Sequence, residues 1–116
     1  SLDKQITSEG STFTNTLTEK GIEYIVETYC EKGVDDVTSI TLTATRILPQ
    51  YNKAEDMKPF LKFGCTVPYE GADVEKVKAF IENNYYKNKA SINISGIKFT
   101  IYTPTQFMRM IEIEKN

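Results

Sequence analysis

The run TSITLTATRIL at residues 38 to 48 constrains the fold more than any other stretch of the chain. Ile40, Leu42 and Ala44 alternate with Thr41, Thr43 and Thr45. In an extended chain a period of two sends each set to its own side. Such a strand has one apolar face that must be covered and one hydroxylated face that suits either water or a partner. A single strand cannot bury its own apolar face. The remaining residues must therefore supply neighbouring strands and a layer above them.

The segments around this strand predict such a layer. In LTEKGIEYIVETYCEKGV the residues Ile22, Ile25, Val26 and Tyr29 fall at i, i+3, i+4 and i+7. That spacing predicts a one-sided helix over 18–32, with Thr18 as N-cap, Glu19 in the first turn and Gly33 as its stop. Pro49 ends the threonine strand, a polar loop follows, and FLKFGCTV alternates Leu61, Phe63, Cys65 and Val67 as a second strand over 60–67. A second helix is predicted in ADVEKVKAFIENNYYK, capped by Asp73, with Val74, Val77, Ile81 and Tyr85 inward and Phe80 widening the stripe. Ser95-Gly96 reads as a tight turn between two strands, and FMRMIEIE at 107–114 reads as a further strand. Residues 1–16 are mostly serine, threonine and charge and are expected to form a flexible arm ahead of a single domain at 17–116. The expected fold is α+β: an antiparallel sheet of four to five strands with two helices on one face, in the order α-β-β-α-β-β and a possible last β. A chain of 116 residues is long enough for one core without metal or disulfide support.

The residue inventory removes much catalytic chemistry. The chain contains no histidine, so the common Ser-His-Asp and Cys-His activations are unavailable, as are histidine metal ligands. Cys30 and Cys65 are the only cysteines; they are expected as buried free thiols rather than a bridge, and they are too few for a structural zinc site. The six glycines fall in no nucleotide-binding spacing. No metal or cofactor is expected. Glu112 and Glu114 on one strand face and the Asp35-Asp36 pair are read as solvated charge, so no enzymatic activity is expected. No apolar run reaches the roughly 18 residues of a membrane span, and the start SLDKQITSEG lacks a basic segment followed by an apolar one. The expectation is a cytoplasmic protein that does not engage a membrane.

Charge supplies the remaining signal. Residues 1–56 hold ten acids against five bases, and residues 57–116 hold six acids against nine bases. Glu19, Glu23, Glu27, Glu31 and Asp35 recur every four residues; on a helix they would form one acidic edge able to dock a protein with a basic surface. The C-terminal half mixes Tyr85, Tyr86, Lys87, Lys89, Lys98, Tyr102, Phe107 and Arg109. The first functional expectation is a non-enzymatic interaction module that binds another protein, or a second copy of itself, through the acidic edge or the open sheet face. The alternative is a single-stranded nucleic-acid or nucleotide binder using Arg46, Lys62, Lys98, Tyr102 and Arg109, since cations beside rings hold phosphates and stack on bases.

Overall fold

A computed structural model describes residues 2 to 7, 10 to 33, 37 to 66 and 73 to 115. Among the described residues, seven strands form one antiparallel sheet: β1 Leu2–Ile6, β2 Gly10–Glu19, β3 Ile22–Glu31, β4 Ser39–Arg46, β5 Lys89–Ile94, β6 Ile97–Thr105 and β7 Met108–Lys115. Their spatial order is β1-β2-β3-β4-β7-β6-β5. Two helices, α1 Lys58–Thr66 and α2 Val74–Asn84, join the halves of the chain, preceded by short 3-10 turns at Pro49–Tyr51 and Ala54–Met57.

The sheet is larger than the four to five strands expected, because two segments adopt the opposite state. Residues 18 to 32 are not a helix but the end of β2, a turn and β3. Lys20 and Gly21 both have positive φ (52° and 74°), the geometry of a two-residue hairpin turn. Ile22, Tyr24 and Val26 face the helices, while Ile25 and Tyr29 face the other way. Apolar residues on both faces of a strand imitated the helical period. The first sixteen residues contribute β1 and most of β2 to the same sheet.

Residues 58 to 66 are helical where a strand was expected. Met57, Leu61 and Cys65, four apart, are buried at 1% exposure or less, whereas Phe63 is 69% exposed. The apparent alternation was thus one helical stripe plus a solvent-facing phenylalanine. Pro59 sits in the first turn, where a missing N–H costs nothing. Val67 lies outside the described residues. The second helix, the Ser95-Gly96 turn (φ 54° and 79°) and the strand over 108–115 form as the sequence indicates. Asp73 caps α2 by accepting from the Lys76 N–H at 3.2 Å. Val74 stands outside the buried stripe of Val77, Phe80, Ile81 and Tyr85.

Both helices lie on one side of the sheet, α1 against β4 and α2 against β5. Ile40, Leu42 and Ala44 of β4, Ile111 and Ile113 of β7 and Phe99 and Ile101 of β6 meet Met57, Leu61, Cys65, Val77, Ile81 and Tyr85 in one core. Burial raises the Cys65 thiol to about 12. α1 packs tightly on β4 at Gly64, where a Cβ would stand 2.7 Å from Leu42 Cδ1. On the helix side the cover does not extend to the β1–β2 hairpin, where Leu17 is 59% and Ile6 71% exposed. The two helices are tied by Glu82, which receives Lys62 Nζ at 2.6 Å and Lys58 Nζ at 3.2 Å.

Two expectations follow. Gly64→Val drives a branched side chain into Leu42, which is itself sealed in the core, and should cost about 1–3 kcal/mol of stability in urea unfolding. The hydrogen bonds from Lys62 and then Lys58 hold the Glu82 carboxyl below its ordinary range. The stabilisation from a lowered carboxylate is complete above its unfolded pKa and is lost as pH falls through the folded value. Glu82→Gln should therefore slightly lower the melting temperature at neutral pH, with the difference from the unaltered protein vanishing in acid and in high salt. A difference that persists undiminished in acid contradicts this account.

Candidate functional site

The face opposite the helices carries Thr41, Thr43 and Thr45, and the strand register places their neighbours in rows across the sheet. One row runs Thr16, Ile25, Thr43, Met110, Tyr102, Lys89. The next runs Thr14, Glu27, Thr41, Glu112, Thr100, Ser91, and a third holds Tyr29, Ser39, Glu114 and Lys98. Rows are about 7 Å apart along a strand and strands about 4.8 Å apart. On β2, Thr12, Thr14, Thr16 and Thr18 repeat the hydroxyl pattern of β4. The result is a broad hydroxylated surface with an apolar seam at Ile25 and Met110.

Polar groups on this face satisfy one another across strands. Ser91 Oγ and Thr100 Oγ1 are 3.0 Å apart, and Thr100 is 3% exposed. The Tyr102 hydroxyl donates to Glu112 Oε2 at 3.3 Å, and Lys89 Nζ lies 5.4 Å from the Tyr102 ring centre. Partial burial and then the neighbouring Glu112 charge raise the Tyr102 hydroxyl pKa. Tyr29, Ser39, Thr41, Glu112 and Glu114 help line a shallow hollow of about 370 Å³.

The expected acidic edge does not form as a helix stripe, because the segment is extended. Glu23 and Glu27 lie on the open face, flanking Ile25 along β3, and Glu31 ends that strand. Glu19 instead stands on the helix side at the end of β2, opposite Ile22. There it lines a cleft with Tyr24, Tyr51, Glu55 and Asp56. Burial, then Glu19 and Asp56, raise the Tyr24 pKa. Asp35 lies outside the described residues.

The five residues of the alternative set scatter. Arg46 closes the end of β4: its Nε donates to Asn52 Oδ1 at 2.6 Å and its Nη2 to the carbonyls of Asn52 and Pro49 at 2.6 and 3.1 Å. Asn52 in turn donates to the Lys20 carbonyl at 3.0 Å, fastening the β2–β3 turn. Arg109 is 2% exposed on the helix side. It donates to the carbonyls of Tyr85 at 2.8 Å, Met108 at 3.0 Å and Thr105 at 3.3 Å, with the Tyr85 ring 4.7 Å away. Lys62 is paired with Glu82 on the helices. Lys98 and Tyr102 remain together on the open face of β6.

No protein-family model, no curated protein and no solved structure matches the chain. Among the described residues no group of three or more cysteine, aspartate or glutamate side chains is placed to hold a metal ion, and no helix is long and apolar enough to cross a membrane. The face residues that sequence reasoning missed are Ile25, Met110 and the threonines of β2. The alternation at Thr12, Thr14, Thr16 and Thr18 was the available signal.

Arg109 yields a direct test of its structural role. Replacing it with methionine keeps much of the volume but removes a charged donor from three carbonyls, of which that of Tyr85 keeps the Thr103 hydroxyl at 3.4 Å. Arg109→Met should lose about 1.5–3 kcal/mol in denaturant unfolding, the range for hydrogen bonds made by a charged group. A variant as stable as the parent would show that the guanidinium is not what satisfies those carbonyls.

Proposed function

We propose that the protein is a non-enzymatic interaction module that docks another protein on its open sheet face. The observation that carries this reading is the row Ile25, Thr43, Met110, Tyr102, which crosses four adjacent strands without a charge. The row is bordered by Glu23 and Glu27 of β3 and Glu112 of β7. An uncharged seam within a polar rim is the usual anatomy of a protein interface. Threonine suits it, since each side chain offers a methyl for packing and a hydroxyl for a hydrogen bond. The acids of the rim favour a partner with a basic surround, whose attraction would speed and orient encounter.

The nucleic-acid or nucleotide alternative draws less support. Arg46 and Arg109 are engaged with main-chain carbonyls and Lys62 with Glu82. Lys98 and Tyr102 are left beside Glu112 and Glu114, charges that repel phosphate.

The test compares three forms of the protein immobilised against an extract of its source. Thr43→Arg places a long cation at the centre of the seam without touching the helix layer, and Phe63→Ser alters an exposed position on the opposite side. A partner of the open face should be retained by the unaltered protein and by Phe63→Ser, and its Kd for Thr43→Arg should rise at least about tenfold, or ~1.4 kcal/mol. A partner held equally well by Thr43→Arg places docking elsewhere and defeats the proposal.

A further inference from the structure

We propose that the chain dimerises by pairing β5 with β5 of a second copy, so that one sheet continues into the next about a two-fold axis at Ser91. This uses the edge of the sheet rather than its open face and is independent of the docking reading above.

Among the described residues the edge strand β5 has β6 as its single neighbour. Its register fixes which backbone groups turn outward. The Asn88 carbonyl accepts from the Thr103 N–H at 3.0 Å, and in an antiparallel ladder bonding to a given neighbour alternates by residue. Ala90, Ile92 and Ile94 thus bond toward β6, while the N–H and C=O of Lys89 and Ser91 point away from the sheet. Such a row is completed by another extended segment.

Three features select a second copy as that segment. The first is charge. Proteins protect exposed edges by placing lysine or other charge along them, as Lys4 does in the middle of β1. In β5 the centre is Ala90-Ser91-Ile92, and the one charge, Lys89, stands at the end. The second is self-complementarity. A two-fold at Ser91 sets Ser91 against Ser91, Lys89 against Asn93 and Ala90 against Ile92 of the second copy, with no like charges opposed. Partners of equal parity keep both helix layers on the same side. The half-buried Ala90 and Ile92 then cover each other, whereas Ile94 is already 5% exposed within the monomer. The third is room. Between α2 and β5 runs a cleft of about 570 Å³ bordered by Lys76, Ala79, Phe80, Asn83 and Ile92. The same axis sets the two α2 helices antiparallel across it. Lys76 approaches Asn83 of the second copy, a cation against an amide, with small Ala79 between.

Sedimentation velocity over a concentration series tests this. The unaltered protein should pass from monomer to dimer. Ser91→Pro removes the outward N–H at the axis and leaves the backbone bonds to β6 intact while giving up the Ser91–Thr100 hydroxyl contact, since proline is tolerated where the N–H faces away from the sheet; this variant should stay monomeric. Should the proline variant fail to fold, position 93 decides. Asn93→Glu sets a carboxylate opposite Lys89 twice per dimer and should tighten the dimer about fivefold, while Asn93→Lys should weaken it about fivefold, at the usual strength of cross-strand charge pairs. A protein that stays monomeric up to about 1 mM overturns the proposal. So does a dimer indifferent to charge at position 93, or a monomer that accepts an unrelated extended peptide on β5 instead.

Discussion

The structure depends on the contact between two short helices and the inner strands of a sheet. At Gly64 the backbone of α1 comes down onto Leu42 so closely that a methyl group would collide. That approach lets Leu61 and Cys65 reach the floor laid by β4 and β7. With nine and eleven residues, α1 and α2 span about 14 and 17 Å at 1.5 Å per residue. They cannot roof seven strands. One side of the sheet is thus only partly covered, and among the described residues no helix lies on the other.

Threonine is the sequence's answer to the uncovered side. A strand needs β-branched or aromatic residues to hold its backbone extended, yet a face left in water cannot be all valine and isoleucine without inviting aggregation. Threonine combines the branch with a hydroxyl. It recurs on β2 and β4, and Ser91 and Thr100 are joined across β5 and β6. The apolar residues of that face, Ile25 and Met110, share one row with Thr43 between them and hydroxyls around them.

What the sequence disclosed depended on whether a segment has one greasy face or two. β4 has one, and its alternation located both the core and the open face; α2 has one, and its cap and stripe were legible except at Val74, which the helix end turns outward. β3 has two, with Tyr24 and Val26 under helices and Ile25 and Tyr29 exposed to the other side, and a two-faced strand reproduces the spacing of an amphipathic helix. The corrective signal was local: Lys20-Gly21 sits where a hairpin turns, and Ile-Glu-Tyr-Ile-Val-Glu-Thr-Tyr favours extension. In α1 the deception ran the other way, since Phe63 filled a strand-like slot while pointing to solvent. The roles of Arg46 and Arg109 were not legible at all. Arg46 serves carbonyls of the β4–α1 connection that follows it, and Arg109 reaches the carbonyl of Tyr85, 24 residues away. Only the closed fold assembles those acceptors.

The same economy bears on how an interaction module of this shape works. Binding through a loop requires that the loop be ordered, and the ordering entropy is subtracted from the affinity. Here the proposed contact residues are strand residues whose backbones are bonded on both sides, in β3, β4, β7 and β6, and several of their side chains are already restrained by neighbours, as Tyr102 is by Glu112. Little freedom remains to be lost. Pairing at β5 would add to this without any new contact on the face itself. A two-fold perpendicular to the sheet points both open faces in one direction, so a partner with two epitopes would engage the second at a high effective concentration. A modest affinity per face, of the kind a threonine surface can supply, then suffices for stable association.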